Sequence, residues 1–154
     1  MMAFILLLFA VTSLLPSISA GCCQNGWIPY DGHCYYIGYE SLLTFSEALF
    51  YCISRDAYLT RLDTYSEYSF LRNFLKKTKA SHGAWIGLTD RTKEGSYRWY
   101  GTYTSPTFSD WGPGQPDNLG NEDCVGIWES IDYRWNDFKC DSYKLKPLCE
   151  KKST

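Results

Sequence analysis

Gln115-Pro116-Asp117-Asn118-Leu119-Gly120-Asn121-Glu122-Asp123-Cys124 is the stretch on which the reading of this chain turns, and Trp135-Asn136-Asp137 with Cys140 close behind completes it. The first cluster lies between Arg98 and Arg134, where six acidic residues occur with neither Lys nor Arg. Oxygen-bearing side chains crowded in this way repel one another unless a cation arrives from solution. Calcium is the expected ion, because it takes about 6 to 8 hard oxygen ligands and tolerates irregular geometry.

The acidity is local. Net charge is only −2, and with six of the 17 acids in this stretch, 11 remain elsewhere to face 15 basic residues. The densest basic cluster, Lys76, Lys77 and Lys79, reads as a solvated helix end and not as a nucleic-acid or anionic-membrane surface. At the amino terminus, Ala3 to Leu15 is apolar except for Thr12 and Ser13, and Pro16 and the small-residue stretch Ser17-Ile18-Ser19-Ala20 follow. This resembles a secretory signal peptide without the usual basic residue. Cleavage is expected after Ala20, with Ser19 the neighbouring alternative. No second apolar run of about 20 residues follows, so no membrane span is expected. Residues 21–154 then form one domain of a secreted, extracellular protein. All seven cysteines lie in that part. A secretory route favours disulfides over zinc, and three bridges with one sulfur left over are expected.

Thr44-Phe45-Ser46-Glu47 and Thr64-Tyr65-Ser66-Glu67 each match a capping box, which predicts two helices. Phe45, Ala48, Leu49 and Cys52 share one face of the first, and Tyr68, Leu71, Phe74 and Leu75 one face of the second. Strands are predicted at Trp27 to Tyr30, His33 to Ile37, Ala84 to Leu88, Tyr97 to Tyr100, Asp123 to Trp128, Tyr133 to Trp135 and Pro147 to Lys151. Gly101 to Asn121 keeps no period, and a structureless stretch of that length is usually functional or disordered. The five aromatics of residues 99–111 argue against disorder, and bound metal is one candidate source of the missing order.

Together these features resemble the C-type lectin-like domain, over essentially all of residues 21–154. Cys23 to Cys34 around Gly26-Trp27 is similar to the amino-terminal hairpin of the family's long form, and Trp85-Ile86-Gly87-Leu88 to its core strand. The resemblance implies an α+β fold of two helices on short antiparallel sheets with a long calcium-binding loop region. It also implies the pairings Cys23 with Cys34, Cys52 with Cys149 and Cys124 with Cys140; six cysteines alone allow fifteen connectivities. The implied primary ligands are Gln115, Asp117, Glu122, Asn136 and Asp137, the last adding its carbonyl, with a cis peptide before Pro116. An auxiliary calcium is implied at Asp90, Glu94, Asn118, Glu122 and Asp123, although Asn118 replaces a common acid. Gln-Pro-Asp is similar to the galactose-type motif, but Leu119 stands where a stacking Trp often follows; Trp128 or Tyr133 as a substitute is weighed against a structural role for each.

The expected function is calcium-dependent binding of galactose-type or other vicinal-diol sugars on cell or microbial surface glycans, as in innate immunity. A structural or mineral-associated matrix protein is the alternative. Catalysis is not expected: the carboxylates sit among amides as ligands, and no Ser-His-Asp or Cys-His arrangement occurs. His33 and His82 read as packing or surface residues, and Trp85, Trp99, Trp111 and Trp135 as core. Cys22 either bridges two copies into a homodimer or exchanges partners with Cys23.

Overall fold

The computed structural model describes residues 23–154; the leader at residues 1–20 and the role of Cys22 lie outside the described residues. Both helices begin at the capping boxes. Helix α1 runs Phe45–Ile53 behind Thr44, and α2 runs Tyr65–Lys77 behind Thr64. In each, the Thr hydroxyl accepts the amide of the Glu three residues on, and that carboxylate accepts the Thr amide in return, so two otherwise orphaned donors are satisfied. Phe45, Ala48 and Cys52 of α1 and Tyr68, Leu71 and Leu75 of α2 are buried, with Leu49 and Phe74 at the margins. Lys76 closes α2 by pairing with Asp132 at 2.6 Å, as the expected helix end does.

Eight strands carry the helices: β1 (Ile28–Tyr30), β2 (His33–Ile37), β3 (Tyr58–Leu59), β4 (Ala84–Thr89), β5 (Arg98–Trp99), β6 (Cys124–Trp128), β7 (Arg134–Phe138) and β8 (Lys146–Lys152). The main path is β1-β2-β8-β4-β6-β7, with β3 on β8 and β5 on β4. Every ladder is antiparallel except one. Ala84 and Trp85 of β4 face Lys146 and Pro147 of β8 in parallel, a pairing that period-2 patterning does not encode because both strands are buried on both sides.

Alternation along β4 divides the core. Ala84, Ile86 and Leu88 join the cluster under α2, with Tyr35, Leu71 and Trp135, while Trp85 joins the one under α1, with Phe45, Cys52 and Phe138. Gly87 lies between two backbones: its amide donates to Thr60 O at 2.8 Å, its carbonyl accepts Tyr100 N at 2.6 Å, and a Cβ there meets Leu59 O at 2.8 Å. Only glycine fits such an approach. The three disulfides are Cys23–Cys34, Cys52–Cys149 and Cys124–Cys140, as the resemblance implies.

The long segment after β5 is packed through its aromatics onto the sheet, as the expectation against disorder has it. Trp111 and Phe108 pack on Trp135 with centroids 5.7 and 5.4 Å away, and Tyr97 lies 4.9 Å from Trp111. Main-chain bonds from Trp135 N to Asp110 O (3.0 Å) and from Gly112 N to Trp135 O (2.8 Å) stitch the segment to β7. The apolar payload of these rings anchors the loop to the sheet.

Candidate functional site

Three of the sequence-predicted ligands converge. Carboxylate oxygens of Asp117, Glu122 and Asp137 all lie within 4.8 Å of one another. Strand β7 delivers Asn136 and Asp137, in register with Gly126 and Val125 of β6, so the rigid part of the site is sheet. The rest is loop, held down by Asp137 itself. This side chain is fully buried, its Oδ1 accepts Asp117 N at 3.2 Å and its Oδ2 accepts Asn118 N at 2.8 Å. The Gln115–Pro116 peptide is cis, as expected. Gln115 N donates to Gly112 O at 3.0 Å, and Gln115 Nε2 reaches Asp117 Oδ2 at 3.3 Å.

Two acceptors in this cluster have no donor. Gln115 Oε1 and Asn136 Oδ1 are buried without a hydrogen-bond partner, a condition that costs about 1–3 kcal/mol per group when nothing else pairs with it. Their amide nitrogens are engaged, Asn136 Nδ2 donating to the Asp137 carbonyl. Burial, and then the negative charges of Asp137 and Asp117, push the Glu122 carboxyl up to about 7. Hard oxygens, gathered charge and donorless acceptors are the chemistry a calcium ion matches, so the residues fit the ion.

The auxiliary set is gathered less completely. Asp90 is buried; its Oδ2 accepts Gly95 N at 2.8 Å, and its Oδ1 has no partner. Burial, opposed by the Gly95 amide and reinforced by Glu94 and Asp123, raises its pKa. Asp90, Glu94 and Asp123 nevertheless form no metal-competent group among the described residues. Asn118 Oδ1 is taken by Glu122 N at 2.6 Å, and Asp123 Oδ2 by Asn121 Nδ2 at 2.8 Å. Tyr97 feels both sets; its hydroxyl pKa is raised by burial and then by the charges of Asp137, Asp90, Glu94 and Asp123.

Sequence reasoning missed a second oxygen-rich cluster, His33, Glu67 and Glu150. Glu67 accepts Tyr35 OH at 2.6 Å and Asp63 N at 2.8 Å. Glu150 accepts Tyr58 OH at 2.8 Å and Arg61 N at 2.9 Å, with His33 Nδ1 3.0 Å away. Each carboxylate oxygen already has a partner, so this cluster ties β2, β8 and α2 together. Its one sequence signal is Glu67 of the capping box; nothing local marks Glu150. Tyr133 is buried in the core and Trp128 packs edge-on against Phe138, which favours the structural role for both. Trp85, Trp99 and Trp135 are buried and Trp111 is half-buried. His82 is exposed, and His33 is a packing residue.

The family profile described as Lectin C-type domain matches residues 41–151. The perlucin-like protein of Mytilus galloprovincialis is 30% identical over 128 residues, covering 82% of this chain and 81% of that protein. The hepatic lectin of Gallus gallus is 35% identical over 133 residues, 85% of this chain but only 60% of that longer protein. Among solved structures, the carbohydrate-recognition domain of the mouse scavenger receptor C-type lectin superposes with a TM-score of 0.77 at 29% identity, covering 86% of this chain and 100% of that one. Among the described residues, no helix is long and apolar enough to cross a membrane.

Proposed function

This chain belongs to the C-type lectin domain family, and from that premise we propose that it is a secreted, calcium-dependent lectin for galactose-type or other vicinal-diol sugars on cell or microbial surfaces. Family and fold are those of non-enzymatic carbohydrate-binding domains. The observation that carries the finer reading is the pair of donorless buried oxygens of Gln115 and Asn136 beside three mutually close carboxylates.

In this reading Gln115, Asp117, Glu122, Asn136 and Asp137 hold the ion. Bound calcium supplies charge neutralisation and open coordination places for two neighbouring sugar hydroxyls. The chain's own groups orient them: a hydroxyl donates its proton to Asp117 or Glu122 and accepts from the free hydrogen of Gln115 Nε2. Asp90, with its own donorless Oδ1, supports a second ion, for which Glu94 and Asp123 must draw closer. The secreted form is residues 21–154, and Cys22 bridging two copies would gain avidity by linking two weak sites.

A glycan array run with and without chelator tests the calcium and sugar claims together. Calcium-dependent binding that galactose inhibits better than mannose is the expected result; a signal unchanged by chelation overturns it. The exchange of Gln115→Glu with Asp117→Asn swaps amide and carboxylate across Pro116 and is expected to move the preference toward mannose by about tenfold, the scale of one rearranged hydrogen-bond pair. An unmoved preference removes the motif as the source of specificity.

Acidification gives a separate expectation. Without calcium, Glu122 holds its proton up to about 7, against an ordinary 4.5. Between those values the folded chain binds more protons than the unfolded one, so this carboxyl makes the calcium-free fold less stable as pH rises through that window. Calcium reverses the penalty by requiring the ionised form. At 100 times its dissociation constant an ion adds about 2.7 kcal/mol, or about 10 °C in Tm for a domain of this size. Scanning calorimetry is expected to show that gain at about pH 8 and little of it at about pH 5. Equal gains at both would exclude Glu122 from the ligand set.

A further inference from the structure

Lys139 is a cation without an assigned role that rests against the loop of the primary site. It lies just beyond β7, between buried Phe138 and disulfide-bonded Cys140, so its backbone is fixed by the same sheet that fixes Asn136 and Asp137. Its side chain crosses to the opposite loop. A Cβ built on Gly120 meets Lys139 Nζ at 2.9 Å and Cε at 3.1 Å, which places the ammonium directly over the Gly120 backbone. Gly120 belongs to the turn closed by Asn121 N on Asn118 O at 3.2 Å, and its φ of 72° is the left-handed conformation that glycine tolerates. That turn joins Asp117 to Glu122.

The ammonium rests on the loop without being consumed by it. Among the described residues Lys139 forms no ion pair and its Nζ no hydrogen bond, although the loop beneath it carries Asp117, Glu122 and Asp123. Two other cations near the loops are engaged: Arg91 pairs with Asp141 at 2.6 Å, and Arg98 turns to the Tyr97 carbonyl at 2.8 Å. A calcium ion held by three carboxylates leaves one negative charge in excess, and that excess would repel an anionic sugar. Lys139 offsets it and presents an exposed, unpaired donor over the turn that joins Asp117 to Glu122.

We propose that Lys139 makes the site selective for galactose-type sugars bearing an anionic substituent, a sulfate ester or a carboxylate, over their neutral counterparts. The inference rests on the calcium-dependent sugar-binding reading above. Galactose 6-sulfate is the probe of choice, because its vicinal 3- and 4-hydroxyls stay free for the ion while the sulfate extends from the ring.

The test is calorimetric titration of the calcium-saturated protein with methyl galactoside and its 6-sulfate. The wild type is expected to bind the sulfate about two- to fivefold more tightly, the scale of an exposed ion pair, with the gap closing in about 0.5 M salt. Lys139→Gln is expected to erase the preference with neutral affinity intact, and Lys139→Glu to invert it. Equal affinities in the wild type, or a preference retained by Lys139→Gln, overturn the inference. So does a Lys139→Gln variant that loses neutral galactose as well, since Lys139 then merely supports the loop. Absence of calcium-dependent binding to either sugar is a different failure, that of the proposed function itself.

Discussion

Asp137→Ala is expected to lower calcium-dependent sugar binding by more than about 100-fold, the largest loss of any single substitution in the site. Changing a group that only orients metal ligands typically costs about 10–100-fold, and in the proposed site Asp137 both orients and ligates. Its two oxygens hold the amides of Asp117 and Asn118, so removing them releases the loop and deletes a charge together. Asp137→Asn separates the two effects. The amide keeps the shape but directs one N–H toward a backbone donor, so its loss should approach that of Ala and not that of a conservative change. Tm in chelator serves as the control. Asp137 is buried on β7 and holds two loop amides, so the metal-free Tm should fall by a few degrees while the domain stays folded. Retention on immobilised galactose within threefold of wild type, with the fold intact, would remove Asp137 from the site.

Much of this was legible in the chain because it is local. Each capping box is a four-residue signal whose hydrogen bonds close within one turn, and both helices start where those signals stand. The candidate ligands were legible because Gln115, Asp117 and Glu122 are close in sequence and Asn136 and Asp137 adjacent. The invisible features all depend on distant pairing. Strand β3 is two residues long, too short for any period, and exists only because Tyr58 and Leu59 meet Glu150 and Cys149. The parallel β4–β8 ladder joins residues about 60 apart. Burial of Glu150 under Tyr58 and Arg61 follows from that same assembly, and an isolated Glu near a chain end announces none of it.

The loop shows how a local signal can leave its packing partner unnamed. Its aromatics were visible, yet their partner was not: Trp135 lies more than 20 residues beyond them and gathers Phe108 and Trp111 through β7. Packing of these rings on β7 is therefore part of the frame that carries the site. Polar competition explains the weaker auxiliary set in the same way. Asn118, present where an acid is common, spends its Oδ1 on the Glu122 amide and so tightens the primary loop while leaving the second group open.

That division between packing and ligation predicts that two disulfides fail in opposite ways. Cys52–Cys149 spans 97 residues and ties α1 to β8, whereas Cys124–Cys140 spans 16 and brackets the β6–β7 ladder. By the chain-entropy relation their removal costs about 5 and about 3 kcal/mol respectively. Paired Cys→Ala substitution at residues 52 and 149 should thus give the greater fall in Tm in chelator, measured on protein that still folds at low temperature. Those cysteines join α1 to β8, neither of which carries a proposed ligand, so sugar affinity of the folded fraction should stay within about twofold of wild type. At residues 124 and 140 the order reverses. Cys124 follows Asp123 directly, its strand partner Phe138 follows Asp137, and Lys139 precedes Cys140. Loosening that end of the ladder displaces Asp137 and the loop it holds, and a misplacement of about 1 Å can cost about 100-fold in a preorganised site. The 124/140 variant should therefore lose more affinity and less stability than the 52/149 variant. A single ranking for both quantities would mean that the site has no preorganised frame separate from the global fold.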